Sequence, residues 1–170
     1  MATVPGDAGP LDLIVRNATV ATAEAQFTAD IGVVDGVIVE LDPPGEGPRC
    51  QGGATTEIEA GDRLVLPGGV DSHTHIEQLS AAGVMNADDF HSATVSAAFG
   101  GTTTTMSFAA QHRGMRIPDV LADYHQRAAS KAVIDYAFHL IVADPTPEAL
   151  ADHLPAAVAQ GVTSLKLYMT

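Results

Sequence analysis

Pro67-Gly68-Gly69-Val70-Asp71-Ser72-His73-Thr74-His75 is the stretch that decides the fold. A proline–glycine–glycine turn releases a short strand, and the strand ends on two histidines two residues apart. Side chains alternate faces along a strand, so residues i and i+2 point the same way. His73 and His75 therefore aim both imidazoles at one spot, as a pair of metal ligands would. The spacing alone fits two hydrogen-bonded core histidines better than a metal pair.

Upstream of this stretch the chain reads as β throughout. Residues 1–10 are small and polar, a loose lead-in. Leu11–Thr22 is rich in β-branched residues and reads as a strand. Ala29–Leu41 carries Asp35-Gly36 between two apolar runs, the mark of a two-residue hairpin turn. Residues 42–48 form a loop of turn formers, and Thr55–Ala60 alternates as a further strand.

Downstream, strands and helices alternate. Val70–His75 is followed by a helix over Asp88–Phe99, with Asn86 or Asp88 as its cap and Gly100-Gly101 as its stop. A strand over Thr102–Phe108 leads to a helix over Asp119–Lys131, with Pro118 just before it. Val133–Val142 is the third strand, Pro147–Gln160 the third helix, and Val162–Met169 the fourth strand. The βαβαβαβ order predicts a parallel sheet with right-handed crossovers. The fold class is therefore α/β with a β-rich first domain over residues 1–65 and an alternating second domain over 66–170. Four strands and three helices suit either a complete flavodoxin-like sheet or the first half of a (β/α)8 TIM-type barrel. No GxGxxG follows the first strand, so a dinucleotide fold lacks support. Barrel sites lie at the C-terminal strand ends, where His73 and His75 fall, and this favours the barrel.

Composition narrows the function. The 170 residues carry 8 Lys and Arg against 21 Asp and Glu, a net charge of −13. That balance argues against nucleic acid or an anionic membrane as partner and fits a soluble acidic enzyme. No apolar run reaches the ~18–20 residues of a spanning helix. The first residues have neither a basic nor an apolar stretch of the kind that starts a signal peptide. The single Cys50 precludes an intrachain disulfide and points to a reducing compartment, so a cytoplasmic protein is expected. Cys50 sits in a Pro/Gly-rich loop and reads as a bystander.

The last strand adds a second unusual residue. Leu165, Leu167 and Met169 share one face, expected to meet the helices; Ser164, Lys166 and Tyr168 share the other. A lysine on the inward face of a parallel strand is costly unless neutralised or paired. Asp71 or Glu77 could pair with it in a plain salt bridge. The amine could also be a reactive one.

Pro67–His75, Phe99-Gly-Gly-Thr-Thr-Thr and Gly161-Val-Thr-Ser-Leu-Lys166-Leu-Tyr-Met together resemble the cyclic amidohydrolases, nearest to the hydantoinase/dihydropyrimidinase branch of the metal-dependent amidohydrolase superfamily. The resemblance runs from about Leu11 to Thr170. It implies that the β-rich part is the N-terminal portion of a β-sandwich and the remainder the first half of a barrel. It implies that His73 and His75 are metal ligands. Lys166 matches the lysine whose amine reacts with carbon dioxide to give a carbamate, which bridges two divalent ions as a catalytic-site ligand. Zinc is the ion expected, with manganese or cobalt also fitting. The implied reaction is ring opening of a small cyclic amide, hydantoin or 5,6-dihydropyrimidine, to the N-carbamoyl amino acid. The implied assembly is a homo-oligomer, tetramer or dimer, in the full-length form.

The resemblance also places two further histidines, an aspartate acting as general base and an oxyanion-stabilising tyrosine beyond Thr170. Tyr168 is too close to Lys166 for that last role. A fragment of such an enzyme, inactive alone, is therefore expected. His75 is followed by Ile76-Glu77-Gln78-Leu79 and not by an arginine that would hold a substrate carboxylate, which argues against dihydroorotate. An allantoinase-type ureide hydrolase and a non-catalytic scaffold relative stay open as alternatives, although a scaffold has no need of an inward lysine beside two histidines. Of the other histidines, His91, His125 and His153 read as helix-surface residues and His139 as structural. His112 lies in a loop at the expected catalytic face.

Overall fold

The computed structural model describes residues 10–168 apart from 48, 62 and 81. The chain divides into two compact units, with the break between Pro67 and Gly68.

The first unit is a mixed five-stranded sheet in the order β3-β2-β1-β4, with β5 pairing β1. Its strands are β1 (Leu11–Ala21), β2 (Gln26–Val34), β3 (Val37–Asp42), β4 (Ala54–Glu59) and β5 (Leu64–Val65). The expected hairpin joins β2 to β3. Asp35 and Gly36 both adopt positive φ, 49° and 75°, and Val34 pairs with Val37 across the turn. A 3₁₀ turn, Cys50–Gly52, precedes β4. Ala18, Val20, Ala29, Ile31 and Ala60 form the main apolar cluster. Asp30 is buried beside it, its carboxylate accepting from the amides of Asn17 and Gly45 and facing the Arg16 guanidinium.

The second unit is a four-stranded parallel sheet in the order β6-β7-β8-β9. The strands are β6 (Gly69–Thr74), β7 (Thr102–Ala110), β8 (Asp135–Ile141) and β9 (Leu165–Lys166). Consecutive strands are neighbours and a helical segment lies in each connection. This is the curled half-barrel arrangement expected, not the reordered sheet of a flavodoxin-like fold. Phe90, Ile117, Leu121, Tyr124, Phe138 and Leu140 anchor the core between sheet and helices.

Local chemistry moves several expected boundaries. The first helix, α1, spans Phe90–Phe99 and is capped by Asp89, whose Oδ1 accepts from the Ser92 amide at 2.9 Å. Asn86 and Asp88, the expected caps, are otherwise engaged: Asn86 Oδ1 accepts from the Gln78 amide, and Asp88 Oδ1 from the Ser92 hydroxyl. Helix α2 begins earlier than expected, at Ile117, and runs to Ala129 with Pro118 in its first turn. The third helix does not run unbroken over Pro147–Gln160. A π-helical turn, Ala149–His153, leads into a short α3, Leu154–Ala159. Pro155 has no N–H to give and its ring crowds the carbonyl four residues back, so the ladder widens just before it. Strand β9 is shorter than Val162–Met169, since only Leu165 and Lys166 pair with β8; Met169 lies outside the described residues.

Candidate metal centre

The approach to the site depends on one close contact. A Cβ on Gly68 would stand 2.0 Å from Thr103 Oγ1, so the PGG turn lets β6 leave alongside β7. Further along, Asp71 pairs with Thr105 and Thr74 with Ser107. Ser72 and His73 thus both oppose Met106, a bulge of the kind that re-aims side chains beside functional sites. The His73 amide donates to Asp71 Oδ1 at 3.1 Å, and the Ser72 carbonyl accepts from His139 Nε2–H at 2.8 Å.

Beyond the bulge, His73 and His75 share a face as expected. Their ring centroids are 5.4 Å apart, and they lie 4.6 and 4.8 Å from the Phe108 ring on β7. His75 Nδ1–H donates to Gln78 Oε1 at 2.6 Å. That bond leaves the Nε2 lone pair of His75 to face outward as a donor atom. Gln78 is itself fixed: its amide donates to Asn86 Oδ1, and its carbonyl accepts from the Asn86 amide.

Lys166 reaches the same aromatic ring from β9. Its Nζ stands 4.4 Å from the Phe108 centroid and 5.8 Å from that of Tyr168. Ser72, His73, Phe108, His139, Ser164 and Lys166 line one open basin of about 520 Å³. Lys166 is half-buried, and among the described residues it makes no ion pair. The salt bridge to Glu77 or Asp71 does not form. Glu77 is instead held by Lys131 at 2.9 Å, and Asp71 is turned to the His73 amide. Hydrogen bonding by Glu77 holds the Lys131 ammonium above its ordinary range, against the smaller opposing effect of desolvation.

Two imidazoles and one amine against the Phe108 ring suit a metal held by nitrogen donors and, after carbamate formation, an oxygen donor. Among the described residues no group of three His, Cys, Asp or Glu side chains gathers to hold an ion, so the donor set is partial.

Of the other histidines, one departs from expectation. His153 is buried, not on the surface; its Nε2 lies 3.2 Å from Glu148 and 3.4 Å from Arg116. His125 is exposed but lays its ring edge against Phe138 at 4.9 Å. His112 lines an apolar pocket with Leu79, Met85, Met115 and Tyr124. His139 joins the basin. Strand alternation could have placed it there, since it lies opposite Phe108 in the β7–β8 register.

A β unit followed by a parallel α/β sheet, with an HxH pair at the end of the first parallel strand and a lysine on the fourth, is the arrangement that the resemblance to the cyclic amidohydrolases implies. Comparison with known proteins specifies it further. The D-hydantoinase of Ralstonia pickettii is 39% identical over 94% of this chain, which spans 33% of that protein. A solved D-hydantoinase structure superposes with a TM-score of 0.83 at 39% identity, covering 94% of this chain and 33% of its own. The dihydropyrimidinase of Brevibacillus agri gives 0.82 at 35% identity, covering 92% and 33%. No family model matches the chain. The chain is thus similar to hydantoinases and a dihydropyrimidinase over most of its own length, and it spans about a third of the length of the relatives it matches.

Proposed function

We propose that this chain supplies part of the active site of a metal-dependent cyclic amidase that opens hydantoin or 5,6-dihydropyrimidine rings to N-carbamoyl amino acids. The observation that carries the reading is the gathering of His73, His75 and Lys166 around Phe108. His73 and His75 would hold one divalent ion, zinc by preference. Lys166, as its carbamate, would share that ion with a second. Such a pair of ions, when bound, polarises a carbonyl and makes water a strong nucleophile near neutral pH. The residues here do the rest. Gln78 keeps the proton of His75 on Nδ1. Phe108 forms the apolar floor of the basin. Lys166 supplies the amine: its neutral Nζ attacks carbon dioxide, loses one proton to water and becomes an anion of carboxylate type. A small cyclic amide as substrate and a cytoplasmic setting belong to the same reading. The names of the relatives support the substrate class, and among the described residues no helix is long and apolar enough to cross a membrane.

Zinc binding to the 170-residue chain tests this directly. Wild type should bind zinc, and His73→Ala and His75→Ala should each abolish that binding. Under ¹³C-bicarbonate a carbamate resonance should appear and be missing from Lys166→Ala. Unchanged zinc content in His73→Ala would refute the site.

A further inference from the structure

The two histidines and the lysine come from opposite edges of the second unit's sheet, β6 and β9, with β7 and β8 between them. Only one side chain of the basin makes hydrogen bonds to the segments that carry both. His139 projects from β8, and its Nε2–H donates across β7 to the Ser72 carbonyl. Its Nδ1 meets the Ser164 hydroxyl, two residues before Lys166. The carbonyl fixes the tautomer: a carbonyl only accepts, so Nε2 carries the proton and Nδ1 accepts from Ser164 Oγ–H. Ser72 is no ordinary ladder residue. It belongs to the bulge that turns His73 toward Phe108, and two of the bulge's backbone groups find side-chain partners, Asp71 for the His73 amide and His139 for the Ser72 carbonyl. A bulge whose backbone groups are satisfied by fixed side chains is held in one conformation. The His139 ring also packs on Phe108 at 4.9 Å, on the surface that carries the His73 and His75 rings and the Lys166 amine.

We infer that His139 is a positioning residue: it clasps the β6 bulge and the approach to β9 at once, and so sets His73 and Lys166 in register with each other. The inference rests on the metal reading above for its consequence, but the clasp itself exists without metal.

The test uses the ¹⁵N,¹³C-labelled 170-residue chain and zinc alone as probe. His139→Phe keeps a flat ring on Phe108 and removes both hydrogen bonds. It should shift the Ser72 ¹³C′ and His73 amide resonances in the metal-free protein and weaken zinc binding by about tenfold or more, the usual effect of losing an outer-shell partner. Thr94→Val is the control. It removes the part-buried bond from the Val133 amide to Thr94 Oγ1 and the bond from that hydroxyl to the Phe90 carbonyl, among residues that do not line the basin, and should lower Tm while leaving those resonances and the zinc affinity in place. Ser164→Ala removes the Nδ1 bond alone. It should weaken zinc in the same direction by less, and it carries the test if His139→Phe does not fold. Unmoved Ser72 and His73 signals with wild-type zinc affinity in the folded variant would overturn the inference. So would an equal loss of zinc affinity in Thr94→Val at equal loss of Tm, because His139 would then be merely structural. A wild type that binds no zinc sinks the metal reading. The Ser72 and His73 resonances then decide the clasp on their own, upholding it if they move in His139→Phe and overturning it if they do not.

Discussion

At the scale of single residues, hydrogen bonds decide what the imidazoles can do. HxH spacing puts two rings on one face, but a ring offers a metal only the nitrogen that lacks a proton. Gln78 makes that choice for His75 by accepting from Nδ1–H. Gln78→Leu keeps the volume and removes the acceptor, so the ring can rotate and either tautomer can form. We expect zinc affinity to fall by about tenfold, within the range seen for such partners. Chelator competition measures it, and Gln78→Glu should recover most of the loss because a carboxylate also accepts. An affinity in Gln78→Leu equal to wild type would show that His75 is oriented by Phe108 packing alone. The HxH pair and Lys166 were legible in the sequence because each breaks a pattern: polar side chains where a parallel strand should be apolar. Gln78 was not, and alternation could show the face of His139 but not its partners, since both roles depend on which atoms meet after folding. His153 misled for the opposite reason. A helical position near charged residues looks exposed, yet the π-helical turn ahead of Pro155 goes with a buried ring.

At the scale of elements, the alternation of strands and helices and the β2–β3 turn followed from periodicity and turn chemistry, and the barrel was favoured over a flavodoxin-like sheet by where His73 and His75 fall, while boundaries followed from contacts that periodicity does not contain. Asp89 and not Asn86 caps α1 because Asn86 is taken by the loop that carries Gln78. The β6–β7 pairing depends on Gly68 in the same way. Gly68→Ala drives a methyl into Thr103 and should cost about 1–3 kcal/mol, the usual range for overpacking. Urea unfolding of the single variant, of Thr103→Ala and of the double variant gives the coupling. The double variant should be more stable than Gly68→Ala alone, and simple additivity would mean that β7 yields freely. In the first unit, Asp30 gives the sheet a pH dependence. Burial opposes its ionisation, but the Asn17 and Gly45 amides and the Arg16 guanidinium together outweigh burial and hold the carboxyl below its ordinary range. A group with a lowered folded pKa contributes stability that is complete above its unfolded value, about 4, and is lost as pH falls through the folded value. Wild type should therefore lose more stability than Asp30→Asn on going from about pH 5 to about pH 2. Parallel losses in urea midpoint across that range would remove Asp30 from the account.

At the scale of the whole molecule, charge and exposed apolar surface oppose each other. The chain carries a net −13, and its isoelectric point is near 4.6. Both units leave large apolar side chains in solvent, Ile38, Leu41 and Ile58 in the first and Val70, Leu165 and Leu167 in the second. Among the described residues the outer strands β3, β4, β5, β6 and β9 add backbone groups with no strand neighbour on one side. At neutral pH mutual repulsion keeps such surfaces apart, over a distance that salt shortens to about 8 Å at physiological ionic strength. Self-association should therefore rise as pH approaches 4.6 and rise at neutral pH on adding salt. Light scattering against pH and against sodium chloride reads both. The Asp30→Asn variant separates this from acid unfolding. It moves the unfolding transition through one buried group but changes the net charge by a single unit, so its scattering onset should stay close to that of wild type while its stability profile flattens. An onset that follows the unfolding transition in both proteins would mean that association comes from the unfolded chain and not from the exposed sheet surfaces of the folded one.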